Sequence, residues 1–86
     1  MKTTKTKYID VVGAEYVSDY KVRLTFNDDT SRVVDFEPFL RRTQHPDLTR
    51  YRAFKKFKSF RLVDGNLMWG DYEMIFPVWD LYRGKI

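Results

Sequence analysis

The chain has 86 residues, a formal charge of +4, and 43% apolar against 33% charged side chains, the composition of one small folded domain rather than of a disordered chain. It has no cysteine and a single histidine, which excludes disulfides and thiolate metal sites and leaves little from which to build a metal centre or a catalytic triad. No apolar run approaches the ~20 residues needed to cross a bilayer, so a cytoplasmic protein without a membrane partner is expected.

Residues 1–7 carry Lys2, Lys5 and Lys7, like the basic start of a signal peptide. The apolar stretch that should follow is interrupted by Asp10, Gly13 and Glu15. A flexible basic arm over residues 1–7 and a single domain over residues 8–86 are expected. That domain must draw its stability from aromatic packing, since each Phe, Tyr or Trp buries roughly 150–250 Å².

The clearest strand is Tyr20 to Phe26. Tyr20, Val22, Leu24 and Phe26 alternate with Lys21, Arg23 and Thr25, the period of an antiparallel strand with one wet face. Val12, Ala14 and Tyr16 alternate less cleanly before it, with Ser18-Asp19 as the turn. Asn27-Asp28-Asp29-Thr30 then separates it from a third strand over Arg32 to Phe36. The first 36 residues read as a three-stranded meander. Asp28 and Asp29 suit its second turn, where they bond locally and tolerate positive φ.

Beyond Phe36 the period changes. Pro38 suits a first helical turn, Phe39-Leu40 follows, and Thr43-Gln44-His45-Pro46 breaks it. A second helix is predicted from Pro46-Asp47 onward. At 100° per residue Tyr51, Ala53, Phe54 and Phe57 share one side, and Arg52, Lys55 and Lys56 the other. Gly65 marks a hairpin between Arg61 to Val63 and Leu67 to Trp69, and Tyr72 to Phe76 supplies a further strand. Pro77 opens a closing helical turn with Val78, Leu81 and Tyr82 on one stripe and Trp79 outside it, placed for an interface. Trp69, at strand spacing from Leu67, is expected in the core. The fold class is α+β: an antiparallel meander, a helix, a β-hairpin and a short C-terminal helical turn.

Charge is the main functional signal. Residues 41–61 hold Arg41, Arg42, Arg50, Arg52, Lys55, Lys56, Lys58 and Arg61 against Asp47 alone, a net +7 in a chain of +4. Such a stretch is either a solvated helix face, a contact for an acidic protein, or a phosphate-binding surface. The candidate contact residues are Arg41, Arg42, Arg52, Lys55 and Lys56. Because the aromatic residues fall on the side opposite the charge, base stacking on them is not expected.

Catalytic chemistry finds little support. His45 stands before Pro46 in a loop, with no cysteine or second histidine to act with. Asp64, Asp71 and Glu73 do not follow the spacing of a calcium loop. The glycines at 13, 65, 70 and 84 form no phosphate-binding motif. No cofactor, metal or catalytic residue is implied.

The order Tyr20-x-Val22-x-Leu24-x-Phe26, Val34-Asp35-Phe36 with Leu40, Phe57-x-x-Phe60, Leu67-x-Trp69, Pro77 and Leu81-Tyr82 resembles domain-of-unknown-function family 2442, over roughly residues 10–83. The resemblance implies a bacterial α+β domain of antiparallel strands with helices packed on it. Members occur alone or joined to a helix-turn-helix domain, and the single-domain members are often encoded beside another small protein. It therefore implies a binding module, one half of a two-protein regulatory or antitoxin-like pair, and brings no activity or site residue with it. Two positions depart from the family pattern. Asp29 stands where Gly is common, and Gly70-Asp71 follows Trp69 where many members have a Pro-Asn-Gly turn. No second, DNA-reading helix pair accompanies the domain, so nucleic-acid binding through the basic 41–61 segment is the alternative rather than the main expectation.

Overall fold

The computed structural model describes residues 9–86; the expected arm over residues 1–7 lies outside the described residues. Three antiparallel strands come first: β1 (Val11–Ser18), β2 (Lys21–Phe26) and β3 (Ser31–Asp35), in the spatial order β1-β2-β3. Helical segments follow: α1 (Glu37–Arg42), α2 (Pro46–Thr49), a 3-10 turn (Arg50–Arg52) and α3 (Phe54–Phe57). A second antiparallel sheet is built from β4 (Arg61–Val63), β5 (Asn66–Trp69) and β6 (Met74–Ile75), and α4 (Val78–Arg83) closes the domain. The architecture is α+β, and β6 supplies the further strand expected after the hairpin.

The alternation in β2 does what its period implies. Val22, Leu24 and Phe26 are buried beneath the sheet, while Lys21, Arg23 and Thr25 face the other way. β1 pairs with β2 through two irregularities, between Val11 and Gly13 and between Tyr16 and Ser18. They leave Val12 and Val17 outside the regular ladder and exposed. The two sheets meet through the β4–β5 hairpin, a two-residue connection with positive φ at both Asp64 and Gly65, which matches the twist of its strands. The Gly65 carbonyl accepts from the Val11 backbone N–H at 2.8 Å. A Cβ on Gly65 would stand 2.6 Å from the Asp10 side chain, so the close approach of the two sheets needs glycine there.

Aromatic rings occupy the space between the sheets. Trp69 is fully buried, with Phe36, Phe57, Phe60 and Phe76 around it at centroid separations of 5.2 to 6.0 Å. Its indole N–H donates to the Phe57 carbonyl at 2.6 Å, so the polar end of the ring is satisfied inside the core. From α4, Leu81 enters the core, Val78 and Tyr82 pack against it, and Trp79 stands 46% exposed, as the spacing predicts.

The long amphipathic helix expected after Pro46 is not continuous. Ala53 is extended at φ −75°, ψ 124°, and separates the 3-10 turn from α3. At 100° per residue Tyr51 and Phe57 would stand about 120° apart on an unbroken helix. The tighter turn and the extended residue bring both into the core. The cost falls on the other two members of the predicted apolar side. Ala53 is exposed, and Phe54 is 46% exposed with its ring 4.8 Å from that of Tyr20.

The β2–β3 turn divides its work between its two aspartates. Asp29 takes the left-handed conformation, φ +69°, and its carboxylate makes no hydrogen bond among the described residues. Asp28 accepts from the Thr30 hydroxyl at 2.6 Å and the Thr30 backbone N–H at 3.1 Å, and from the Tyr82 hydroxyl at 2.7 Å. The bonds from Thr30 and then Tyr82 hold the Asp28 carboxyl below its ordinary range. Asp29→Gly is therefore expected to be neutral or to stabilise the domain by up to about 1 kcal/mol, as relief of left-handed strain competes with the added freedom of the unfolded chain. Urea titration checks this, and a clear destabilisation would show that the Asp29 carboxylate does bond in solution.

Candidate functional site

The basic segment 41–61 wraps the α1–α3 region, and its eight cations have different surroundings. Arg41 pairs with Glu37 one turn earlier on α1, its Nε 2.7 Å from Oε2. Arg42 lies over the Phe39 ring at 5.6 Å, and Lys58 over the Tyr16 ring at 4.8 Å. Arg61 donates to the Gly70 carbonyl at 3.1 Å. Arg52 donates to the carbonyls of Leu40 at 2.7 Å, Thr43 at 2.9 Å and Arg41 at 3.4 Å. These are carbonyls that the end of α1 leaves without helical partners, so Arg52 staples the 3-10 turn to α1. Of the five candidate contact residues, Arg52 thus has a structural task that its sequence position did not announce.

Lys55 and Lys56 differ from the other six. Both are exposed, and neither ammonium group makes a hydrogen bond, ion pair or ring contact among the described residues. The short α3, pinned by the buried ring of Phe57, projects them outward from adjacent positions.

The candidate residues are distributed over two concavities. Arg41 and Arg52 line one of about 330 Å³ together with Tyr20, Glu37 and Leu40. Lys55 and Lys56 line another of about 530 Å³, facing Arg50, Tyr51, Gly70 and Glu73. Arg42 lines neither. The structure therefore brings Arg41 together with Arg52, and Lys55 together with Lys56, in separate hollows rather than on one helix face.

The second hollow has a bonded floor. The Glu73 carboxylate accepts from the buried Tyr51 phenol at 2.6 Å through one oxygen and from Arg50 Nη2 at 2.8 Å through the other. Burial, and then the bond to Glu73, push the Tyr51 hydroxyl up to about 12, so it keeps its proton and remains a donor at neutral pH. Arg50 also lies 3.6 Å from Asp47 and donates from Nε to the Asp47 carbonyl at 3.1 Å. A Cβ on Gly70 would stand 2.6 Å from Glu73 Oε1 and 2.7 Å from the Tyr51 hydroxyl. Gly70, at φ +66°, is thus what lets these two groups meet. In the same turn Tyr72, 65% exposed, is held at φ +63°, a strained backbone for an aromatic residue. Sequence reasoning missed this floor, because Tyr51 and Glu73 are 22 residues apart and no spacing rule connects them.

The residues weighed for chemistry have structural surroundings. His45 is exposed and caps α2, its Nδ1 accepting from the Asp47 backbone N–H at 3.2 Å. Asp64 sits in the β4–β5 turn and Glu73 in the floor just described. No group of three or more His, Asp or Glu side chains suited to a metal occurs among the described residues, and no helix among them is long and apolar enough to cross a membrane.

No curated protein and no solved structure matches the chain. Residues 11–86 match the family described as "Protein of unknown function (DUF2442)", which spans both sheets, the helical segments and α4. With nearly its whole length matched, the chain belongs to that family.

Proposed function

We propose that this domain works by binding, without catalysis, as one half of a bacterial, cytoplasmic two-protein pair with a regulatory or antitoxin-like role, and that it meets an acidic surface of its partner through the 41–61 segment. The observation that carries the reading is the isolation of Lys55 and Lys56. Six of the segment's eight cations are engaged by the domain itself, and these two are left over, adjacent in sequence and both lining one hollow. Two exposed charges without partners contribute little to folding, whereas across an interface they steer an oppositely charged surface and select against others. Arg41 and Arg42 do not line that hollow, and Arg52 holds the segment to the end of α1.

The test is affinity capture of the tagged protein from its host, run beside Lys55→Glu/Lys56→Glu. The expected result is a protein retained by the parent and lost by the variant, with thermal midpoints equal within about 2 °C, since exposed substitutions of this kind change stability little. Nucleic acid is the rival reading, favoured by the same net charge. Anisotropy titrations with single- and double-stranded oligonucleotides decide between them: retention of DNA with a steep loss of affinity as salt rises, and no protein captured, would replace the protein-partner reading.

A further inference from the structure

We propose that the hollow between α3 and the β5–β6 turn is the point of contact, and that it seats one or two carboxylates of a short acidic segment on the partner protein. This rests on the binding reading above and specifies where and how that binding occurs.

The charge inside the hollow favours an anion. Arg50, Lys55 and Lys56 line it against Glu73 alone. Glu73 is already neutralised, with one oxygen on Arg50 and the other on the Tyr51 phenol. The ammonium groups of Lys55 and Lys56 are the cations of the lining that no acid engages, and the Ser59 hydroxyl is turned away to donate to the Lys56 carbonyl at 2.6 Å. An incoming carboxylate therefore meets two uncommitted cations and a floor whose own negative charge is spent.

The surroundings decide what kind of anion fits. A nucleic acid carries a phosphate at every step and needs a continuous basic track. Here acid stands beside the lining: Asp47 lies 3.6 Å from Arg50, and Asp71 is exposed in the turn that supplies Gly70 and Glu73. A polyanion laid across the hollow would run over these carboxylates, whereas a short segment with one or two acidic side chains engages Lys55 and Lys56 and stops. The volume of about 530 Å³ admits side chains rather than only a bare ion. The bonded floor lowers the cost of binding, because Tyr51, Glu73 and Arg50 are ordered before the ligand arrives.

The experiment is a ¹⁵N-labelled titration followed by amide shifts, with hexaglutamate, inorganic phosphate and a dT oligonucleotide as three separate probes. Hexaglutamate is expected to shift the amides of Lys55, Lys56, Ser59, Gly70 and Glu73, and Lys55→Ala/Lys56→Ala to weaken that binding at least tenfold. Arg41→Ala/Arg42→Ala should change it less than twofold. Hexaglutamate shifts confined to residues 37–43 and insensitive to the lysine pair would overturn the hollow as the site while leaving the acidic-partner reading standing. Tighter binding of the oligonucleotide, with shifts spread along residues 41–61, would overturn both. Equal affinity for phosphate and hexaglutamate would show a general anion site and overturn the acidic-segment assignment, as would the absence of any hexaglutamate shift at millimolar concentration.

Discussion

Replacing Trp69 with alanine is expected to destabilise the domain by about 3–5 kcal/mol, which removes most of the stability of a small domain near the lower end of the common ~5–15 kcal/mol range. Two losses combine. The indole is fully buried among four phenylalanine rings, so its removal opens a cavity that β5 cannot collapse into while both of its neighbouring strands hold it in register. It also donates to the Phe57 carbonyl, and the alanine would leave that acceptor buried without a partner. Urea titration followed by near-ultraviolet circular dichroism reads the effect. A loss below about 1 kcal/mol would mean that the ring is not packed between the sheets.

Phe57→Ala is expected to cost a similar ~3–5 kcal/mol through a different route. The Phe57 ring is fully buried and meets the rings of Tyr16, Tyr20, Phe36, Phe60 and Trp69, so one side chain ties β1, the β1–β2 turn, the start of α1 and β5 to α3. The alanine keeps the backbone carbonyl on which Trp69 depends, so the measurement isolates the ring. With four residues, α3 has no independent helical stability. Phe57→Leu, which conserves most of the volume, should cost less than about half as much. In a background stabilised enough to fold, Phe57→Ala should also blunt the contribution of Lys55 and Lys56 to binding, because it removes the anchor that orients them. Equal losses for alanine and leucine would point to the aromatic contacts rather than to the filled volume.

The parts of the fold that sequence reasoning reached are those governed by local rules. β2 was legible because its two faces differ in chemistry at every step, and the β4–β5 turn because Asp64-Gly65 is a pair that tolerates left-handed backbone. The break at Ala53 was not legible. Nothing about an alanine marks an extended residue, and the helical wheel assumes the continuity that the core refuses, since Tyr51 and Phe57 must both turn inward. The same limit applies to the site. Lys55 and Lys56 face outward as the helical wheel predicts, while Arg52, which the wheel groups with them, spends its guanidinium on backbone carbonyls 9 to 12 residues earlier. Carbonyl acceptors have no sequence signature. The charge of Glu73 is visible in the sequence, and its partners, Arg50 and Tyr51, are not.

The bond between the Tyr82 hydroxyl and Asp28 spans 54 residues, and Arg32 adds a second tie by donating to the Tyr82 carbonyl at 2.9 Å. The Tyr82 ring also meets Phe26 edge-on at 5.0 Å, so α4 covers the end of β2 that the first hairpin leaves bare. This sets an order of events during synthesis. The meander is made early from contacts between near neighbours, but Tyr82, in the helix that shields it, is synthesised 54 residues after Asp28. Because domains made by joining distant segments fold slowly and expose apolar surface while they wait, the nascent chain passes through an interval in which Phe26 and its neighbours on β2 are uncovered. Synthesis speed and chaperone access during that interval then bear on how much of the domain reaches the folded state, alongside its final stability.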